Sequence, residues 1–265
     1  MSPAGSRKAA GFPTEAVFQV GAILFLLAVW YGFAAGGKIN VFLLPRPGAV
    51  FQRLAHDLAN FRIAEDVATT LWRAFAGFVI AAVVGIPVGL AMARSAFGRW
   101  FFDPIIAVGF PAPKIAFMPI FLLWFGVGDL PLIVLVAINC FFIVASSTAA
   151  GAAGVPRLLI WSAQSLGDSR ESIFRRVVVP AALPQIMNGI QVSVPVSLIA
   201  AVGGEMLTGG IGLGGSILSA GRMVDSVGVY SGLVVCLTVG FVLLKLSELA
   251  RRRLLHWHAE SGPAS

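Results

Sequence analysis

Residues Arg157–Pro184 read RLLIWSAQSLGDSRESIFRRVVVPAALP, and this stretch decides the fold. It is the one long segment in which real charge and helical spacing coexist inside an otherwise apolar chain. Ile160, Ala163 and Leu166, and after a break Ile173, Val177 and Val178, recur at the spacing of one helix face. Gly167 interrupts the pattern. Asp168, followed three positions on by Glu171, reads as a helix restart with a capping box. Pro180 is expected to stop the second helix, because the residue before a proline is pushed out of the α region. The result is two short helices joined at a glycine, with Arg170, Arg175 and Arg176 on an aqueous face. An element so charged cannot lie in lipid. It fits a cytoplasmic elbow between two spanning helices.

The rest of the chain is membrane-like. Of 265 residues, 58% are apolar and 12% charged, against roughly 25% charged in an ordinary soluble protein. The charges cluster between long apolar runs, the signature of an all-α, polytopic helical membrane protein in the lipid bilayer. The runs are continuous rather than alternating, which argues against a β-barrel. The net charge of +7 comes from basic residues at membrane-flanking positions, so topology accounts for it and no nucleic-acid partner is expected. Cys140 and Cys236 lie in apolar runs without metal-ligand spacing and read as core residues. No metal site is expected.

From the elbow the chain divides into a cytoplasmic N-terminal tail (1–15), a transmembrane domain (16–250, with the elbow at 157–184) and a cytoplasmic C-terminal tail (251–265). The first apolar run, 16–35, exceeds the roughly 7–15 residues of a signal-peptide core and reads as a retained helix. Residues 36–66 form an outside segment, with an extended turn at Leu44–Pro47 (LPRP). An amphipathic surface helix follows, with Val50, Phe51, Leu54, Leu58 and Phe61 on its apolar stripe. His56 sits on its solvated side. The second span, 67–93, carries Gly77, Gly85 and Gly89 for close packing or for a hinge. The third, about 101–125, is interrupted by Pro104, Pro111, Pro113 and Pro119. Lys114 stands among these prolines, lining a watery path or snorkelling to an edge.

A fourth span returns through 132–150 with Asn139 and Ser146. A fifth, 186–207, contains Pro195, Ser193, Ser197 and Glu205. TGGIGLGG at 208–215 is too glycine-rich for a helix, and without a GK[ST] or a preceding strand it is not a phosphate loop. The sixth span, 227–246, ends at Arg251-Arg252-Arg253. Six spans place both termini inside. Arg7, Lys8, Arg94, Arg99, Arg157, Arg170, Arg175, Arg176 and Arg251–Arg253 then fall inside, against Lys38, Arg46, Arg53, Arg62 and Arg222 outside. This agrees with the positive-inside rule.

The elbow resembles the loop motif of binding-protein-dependent ABC importer permeases: Glu-Ala-Ala, three residues, Gly, nine residues, Ile, one residue, Leu-Pro. Trp161-Ser162-Ala163 takes the opening triplet, Gly167 the glycine, and Val177, Val179 and Pro180 the end. Trp161 replaces the family glutamate, as an interfacial anchor or by neutral drift. LPRP, WFGVG at 124–128, EML at 205–207 and GLG at 212–214 are similar to the branch that imports nitrate, sulfonates and taurine.

The resemblance implies an ABC importer type I permease-like fold in the bacterial inner (plasma) membrane, working as a homodimer. It also implies separate ATP-binding subunits, which carry ATP and Mg, and a periplasmic solute-binding protein. This chain has no Walker A pattern of its own, and no cofactor or catalytic residue is expected on it. Trp161, Ser162, Ala163, Gly167, Ile173, Phe174, Val177, Val179 and Pro180 would couple to the ATPase, with Ile173, Phe174 and Val177 as apolar anchors. Lys114, Asn139, Ser146, Ser193, Ser197 and Glu205 would line the translocation path. The solute is a small anion such as an alkanesulfonate, taurine or nitrate. A pyrimidine-type vitamin precursor or bicarbonate fits the same architecture. An ion-coupled secondary transporter or a membrane enzyme would need a richer set of buried ionisable groups.

Overall fold

Small residues at every fourth position set the most extensive helix contact among the described residues. The structure is a computed structural model that describes residues 14–36 and 39–254. Two of its helices, α3 (Arg62–Arg94) and α6 (Asp129–Ala153), carry Gly77, Ala81, Gly85 and Gly89 against Val136, Cys140, Val144 and Thr148. A Cβ on Gly77 would stand 2.6 Å from Val136 Cβ, and one on Gly89 2.6 Å from Thr148 Cβ. Lipid supplies no hydrophobic drive between helices, so such backbone-close packing by small residues is what holds them together. These glycines are packing residues. α9 (Val179–Thr208) closes over the pair with Gly189 against Ser147 and Gly204 against Leu132. The resulting core joins Ala74, Ala81, Val136, Cys140, Ala200 and Ala201.

Every regular element among the described residues is helical. α1 is Thr14–Ala35, α2 Pro47–Ala59, α4 Ala96–Gly109, α5 Met118–Phe125, α7 Arg157–Ser165, α8 Arg170–Ile173, α10 Leu213–Arg222 and α11 Ser226–Leu254. Four helices are long and apolar enough to span: α3, α6, α11 and the continuous run Arg170–Thr208. α4 and the run Lys114–Phe125 make a fifth if taken as one broken span, bent by 90°. The apolar part of α1 described here, Gly21–Ala35, is shorter than a full span. Against the sequence expectation of six spans, the described residues give four, or five if the broken pair counts as one.

Several boundaries differ from expectation, each for a local reason. The third span is not one helix. Pro111 and Pro113 lack the N–H donors that would continue the helix, so α4 ends at Gly109 and a 3-10 turn, Lys114–Phe117, leads into α5. The glycine-rich segment is non-helical only through Gly212: α10 begins at Leu213 and takes in Gly214 and Gly215. At the other end α11 continues to Leu254, so Arg251–Arg253 are helical rather than part of an irregular tail. The N-terminal tail with Arg7 and Lys8, Lys38, and residues 255–265 of the C-terminal tail lie outside the described residues.

α2 is pinned to the bundle by polar contacts and by Val50, while Phe51, Leu58 and Phe61 of the expected stripe are exposed and Phe61 lies beyond the helix. Pro47 starts it, where its missing N–H costs nothing, and Val50 is buried. Arg53 donates to Asp57 (2.7 Å) and reaches Asp225 beside α11 (3.1 Å). Trp30 of α1 donates to the Pro45 carbonyl of the LPRP turn (3.1 Å) and stacks on Tyr230 of α11 at 5.7 Å.

Candidate functional site

The elbow is built by a glycine cap. α7 ends with Gly167 N donating to Gln164 O (3.0 Å) and Asp168 N to Ala163 O (3.1 Å), the paired bonds of a Schellman motif. That motif needs a left-handed residue after the helix, and Gly167 has φ +83°. The next helix is capped by Ser169, whose hydroxyl accepts from Ser172 N (3.2 Å), while Ser172 Oγ donates to Asp168 Oδ1 (2.7 Å). The expected Asp168–Glu171 capping box is therefore not the cap. Glu171 instead binds Arg94 and Arg175.

Pro180 does not stop the helix either. A π-helical turn, Phe174–Val178, precedes it and Pro180 sits in the first turn of α9. The wider turn leaves α9 to start afresh where the proline's missing N–H is harmless. The second arm of the elbow therefore runs straight into a span.

The elbow's apolar residues divide between inside and outside. Ala163 and Ile173 are buried, so Ile173 is not available as a docking anchor. Phe174 and Val177 are half-buried, and the Arg94 guanidinium lies over the Phe174 ring at 5.1 Å. Leu158, Trp161 and Leu166 are 71%, 58% and 85% exposed. Ser162, Gly167 and Pro180 are exposed and Val179 half-buried. The outward apolar surface thus belongs to α7 and its cap.

The other residues read from sequence are spread along the bundle. Lys114 stands at the break between α4 and α5, half-buried, its ammonium donating to Phe110 O and lying 5.1 Å from the Phe142 ring centre. Asn139 and Ser146 are half-buried on α6, bonded to the Leu135 and Ile143 carbonyls. Ser193 and Ser197 are buried between helices, their hydroxyls donating to Gly189 O and Val194 O.

Glu205 belongs to something the sequence reading missed. At the end of the bundle opposite the elbow, its fully buried carboxylate accepts from Arg73 Nη1 (2.8 Å), Thr70 Oγ1 (2.9 Å) and Gly214 N (2.9 Å). Arg73 also pairs with Asp129 at the start of α6 (2.7 Å) and donates to Ile211 O (2.8 Å). Leu213 N donates to Thr70 Oγ1 and Gly212 N to Asp66 Oδ1, both 2.9 Å. A buried carboxylate is tolerable only when paired and hydrogen-bonded, and here α3, α6, α9 and the glycine-rich turn each contribute. The turn must be glycine to close so tightly: Gly212 has φ +129°, and a Cβ there would stand 2.5 Å from Glu205 Oε1. One signal was present. Arg73 is the only charge in the run 67–93, and an ionisable residue inside a span asks for a partner.

A bundle of apolar helices, one of them broken, with a charged two-armed elbow at one end, is the architecture of a transporter's membrane subunit. The chain belongs to the family described as binding-protein-dependent transport system inner membrane component, whose model matches residues 85–256. It is 32% identical over 251 residues to the taurine transport system permease protein TauC of Escherichia coli K12, covering 93% of this chain and 91% of that one. It is 27% identical to the aliphatic sulfonates transport permease protein SsuC of Bacillus subtilis, named there as putative, over 88% of this chain and 84% of the relative. The riboflavin transport system permease protein RibX of Chloroflexus aurantiacus is also 27% identical, over 89% and 88%. Among solved structures, the inward-facing MetNI methionine ABC transporter matches with TM-score 0.65 at 20% identity, over 73% of this chain and 96% of that one. An amino acid ABC transporter with histidines gives 0.65 at 19%, over 76% and 97%. The fold is that of ABC importer permease chains. Chains of this family are inner-membrane proteins that work with ATP-binding subunits and a binding protein.

Proposed function

We propose that this chain is the permease subunit of an ATP-driven importer for a small sulfonate, taurine being the leading solute. The likeness to the taurine permease over nearly the whole of both chains carries this reading. Two copies would enclose the passage, with hydrolysis left to separate ATPase chains. The end of the bundle bearing the elbow, Arg94, Arg99 and Arg251–Arg253 is assigned to the cytoplasm, since basic residues gather there. Both termini fall on that side.

The elbow would seat in a groove of the ATPase through Leu158, Leu159, Trp161 and Leu166, with Arg157 and Arg170 at the rim. Apolar anchors surrounded by charge are the usual economy of a helix-in-groove contact. Trp161 then acts as an anchor in place of the family glutamate. The passage reading rests on Lys114, Asn139 and Ser146, the half-buried polar side chains at and beside the broken span. They offer loose, mildly positive sites, which suit release as much as entry. Solute selection would lie chiefly with the binding protein.

A strain lacking this gene should fail to grow on taurine or an alkanesulfonate as sole sulfur source and grow normally on nitrate as sole nitrogen source. The likeness to a riboflavin permease favours a vitamin as the second reading. Normal growth on sulfonates, with loss of vitamin uptake in an auxotroph, would replace the first reading by the second.

A further inference from the structure

The elbow is covalently joined to α6 and α9, but a third element is tied to it without a covalent link. Arg94 ends α3, and its guanidinium grips the elbow in two ways. One edge forms an ion pair with Glu171 in α8, and the flat face lies 5.1 Å from the Phe174 ring in the π-helical turn. A planar guanidinium can offer its edge to a carboxylate and its face to a ring at the same time. Glu171 is itself held by Arg175 at 2.7 Å, so its carboxylate is presented rather than free to swing. Beneath this polar grip, Val178 packs with Ile86, Leu90 and Ala93 of α3 around Ala152, Ala182 and Ile186.

What Arg94 holds is a stiff corner. Ser95 follows immediately, donating to Ala91 O and capping α4 by accepting from Gly98 N (2.9 Å). A Cβ on Gly98 would come within 2.6 Å of Ala91 O, so α4 turns off α3 with backbone against backbone. α4 leads straight to the break at Lys114. A displacement of α8 and the π-helical turn would therefore reach the broken span across one side chain and one rigid turn.

We propose that Arg94 is a positioning residue that passes the elbow's movement to the α3–α4 corner and so to the broken span. The proposal rests on the permease reading above. As an exposed ion pair the contact adds little stability. Its consequence is for where the corner sits when the elbow moves. α6 also touches the broken span, with Phe142 against Gly109 and Lys114; the Arg94 contact adds a second route, through the α3–α4 corner.

The test uses the full transporter, permease with its ATPase in proteoliposomes, with loaded binding protein added. Arg94→Ala is expected to keep the ATPase on the complex while the stimulation of hydrolysis by loaded binding protein, and uptake with it, fall by roughly tenfold, within the range of known coupling effects. Arg94→Lys, which keeps the charge and loses the flat face, should fall between. Arg94→Glu sets like charges together and should be worst. Adding Glu171→Arg to Arg94→Glu should recover part of the stimulation. Stimulation and uptake unchanged in both Arg94→Ala and Arg94→Glu would overturn the proposal. So would loss of the ATPase from the Arg94→Ala complex, which would make the residue structural. Absence of the ATPase from the wild-type complex would sink the permease reading itself, and the joint with it.

Discussion

Arg73 and Glu205, 132 positions apart, meet as a closed ion pair 2.8 Å apart, and the Glu205 side chain is wholly shut off from solvent. The pair ties the outer turns of α3 and α9 at the end of the bundle opposite the elbow. Removing one partner strands the other charge. Arg73→Met should therefore cost about 3–5 kcal/mol, seen as a lower melting temperature in detergent and reduced yield. Arg73→Met combined with Glu205→Gln should be more stable than Arg73→Met alone, because no bare carboxylate remains buried. A double variant less stable than either single one would show that the charges do not compensate each other.

The glycine turn around that carboxylate makes a paired prediction. A Cβ on Gly214 would run into the Val202 carbonyl and stand 2.8 Å from Glu205 Cβ, all fixed atoms. Gly214→Ala should reach the upper part of the about 1–3 kcal/mol range for overpacking. Gly209 has φ +71° and ψ −169° with open space around it, a backbone region essentially confined to glycine, so Gly209→Ala should meet no clash and cost backbone strain alone, about 1–3 kcal/mol. Thermal unfolding of the two purified variants measures each cost.

Helix packing supplies a pair with opposite signs. Gly77→Ala would place its Cβ 2.7 Å from Ile133 O and against Val136, and should destabilise the α3–α6 contact. Gly21→Ala, with nothing within 4 Å, should be neutral or stabilising, since alanine favours a helix by about 1 kcal/mol over glycine. Equal effects at the two positions would mean that the close approach of α3 and α6 is not what Gly77 serves.

The elbow separates docking from stability. Leu158→Asp alters a side chain 71% exposed and should leave the melting temperature unchanged while abolishing co-purification with the ATPase. Ile173→Ala empties a buried site and should lower stability by about 2 kcal/mol or more. If Ile173→Ala instead detached the ATPase from an otherwise stable permease, the docking face would be the one that the sequence alone suggested.

Much of the architecture was written locally. The apolar runs, the break at Gly167 and the prolines around Lys114 act within a few residues, so their positions in the chain determine spans, elbow and broken helix before any tertiary contact forms. Side-chain facing was less legible. Ile173 and Leu158 are both aliphatic residues on helical turns of the elbow, and spacing does not say that Ile173 is buried and Leu158 exposed. Pro180 misled for a related reason: its local rule forbids a regular helix through that point, while packing of Val178 against Ile86, Leu90 and Ala93 holds the arm in line and a π turn absorbs the conflict.

The sequence by itself determined that Arg73 and Glu205 are ionisable groups in apolar runs, and hence that each needs a partner. Only the tertiary structure decided that they are each other's partner, that Thr70, Asp129 and Gly214 complete the set, and that TGGIGLGG exists to close over them. The reason is the range of the forces. Helix propensity and hydropathy act between neighbours along the chain. The cost of a buried charge is met by whatever the crossing of α3, α6 and α9 brings within hydrogen-bond distance, and that crossing is set by the fit of small residues on helices far apart in sequence.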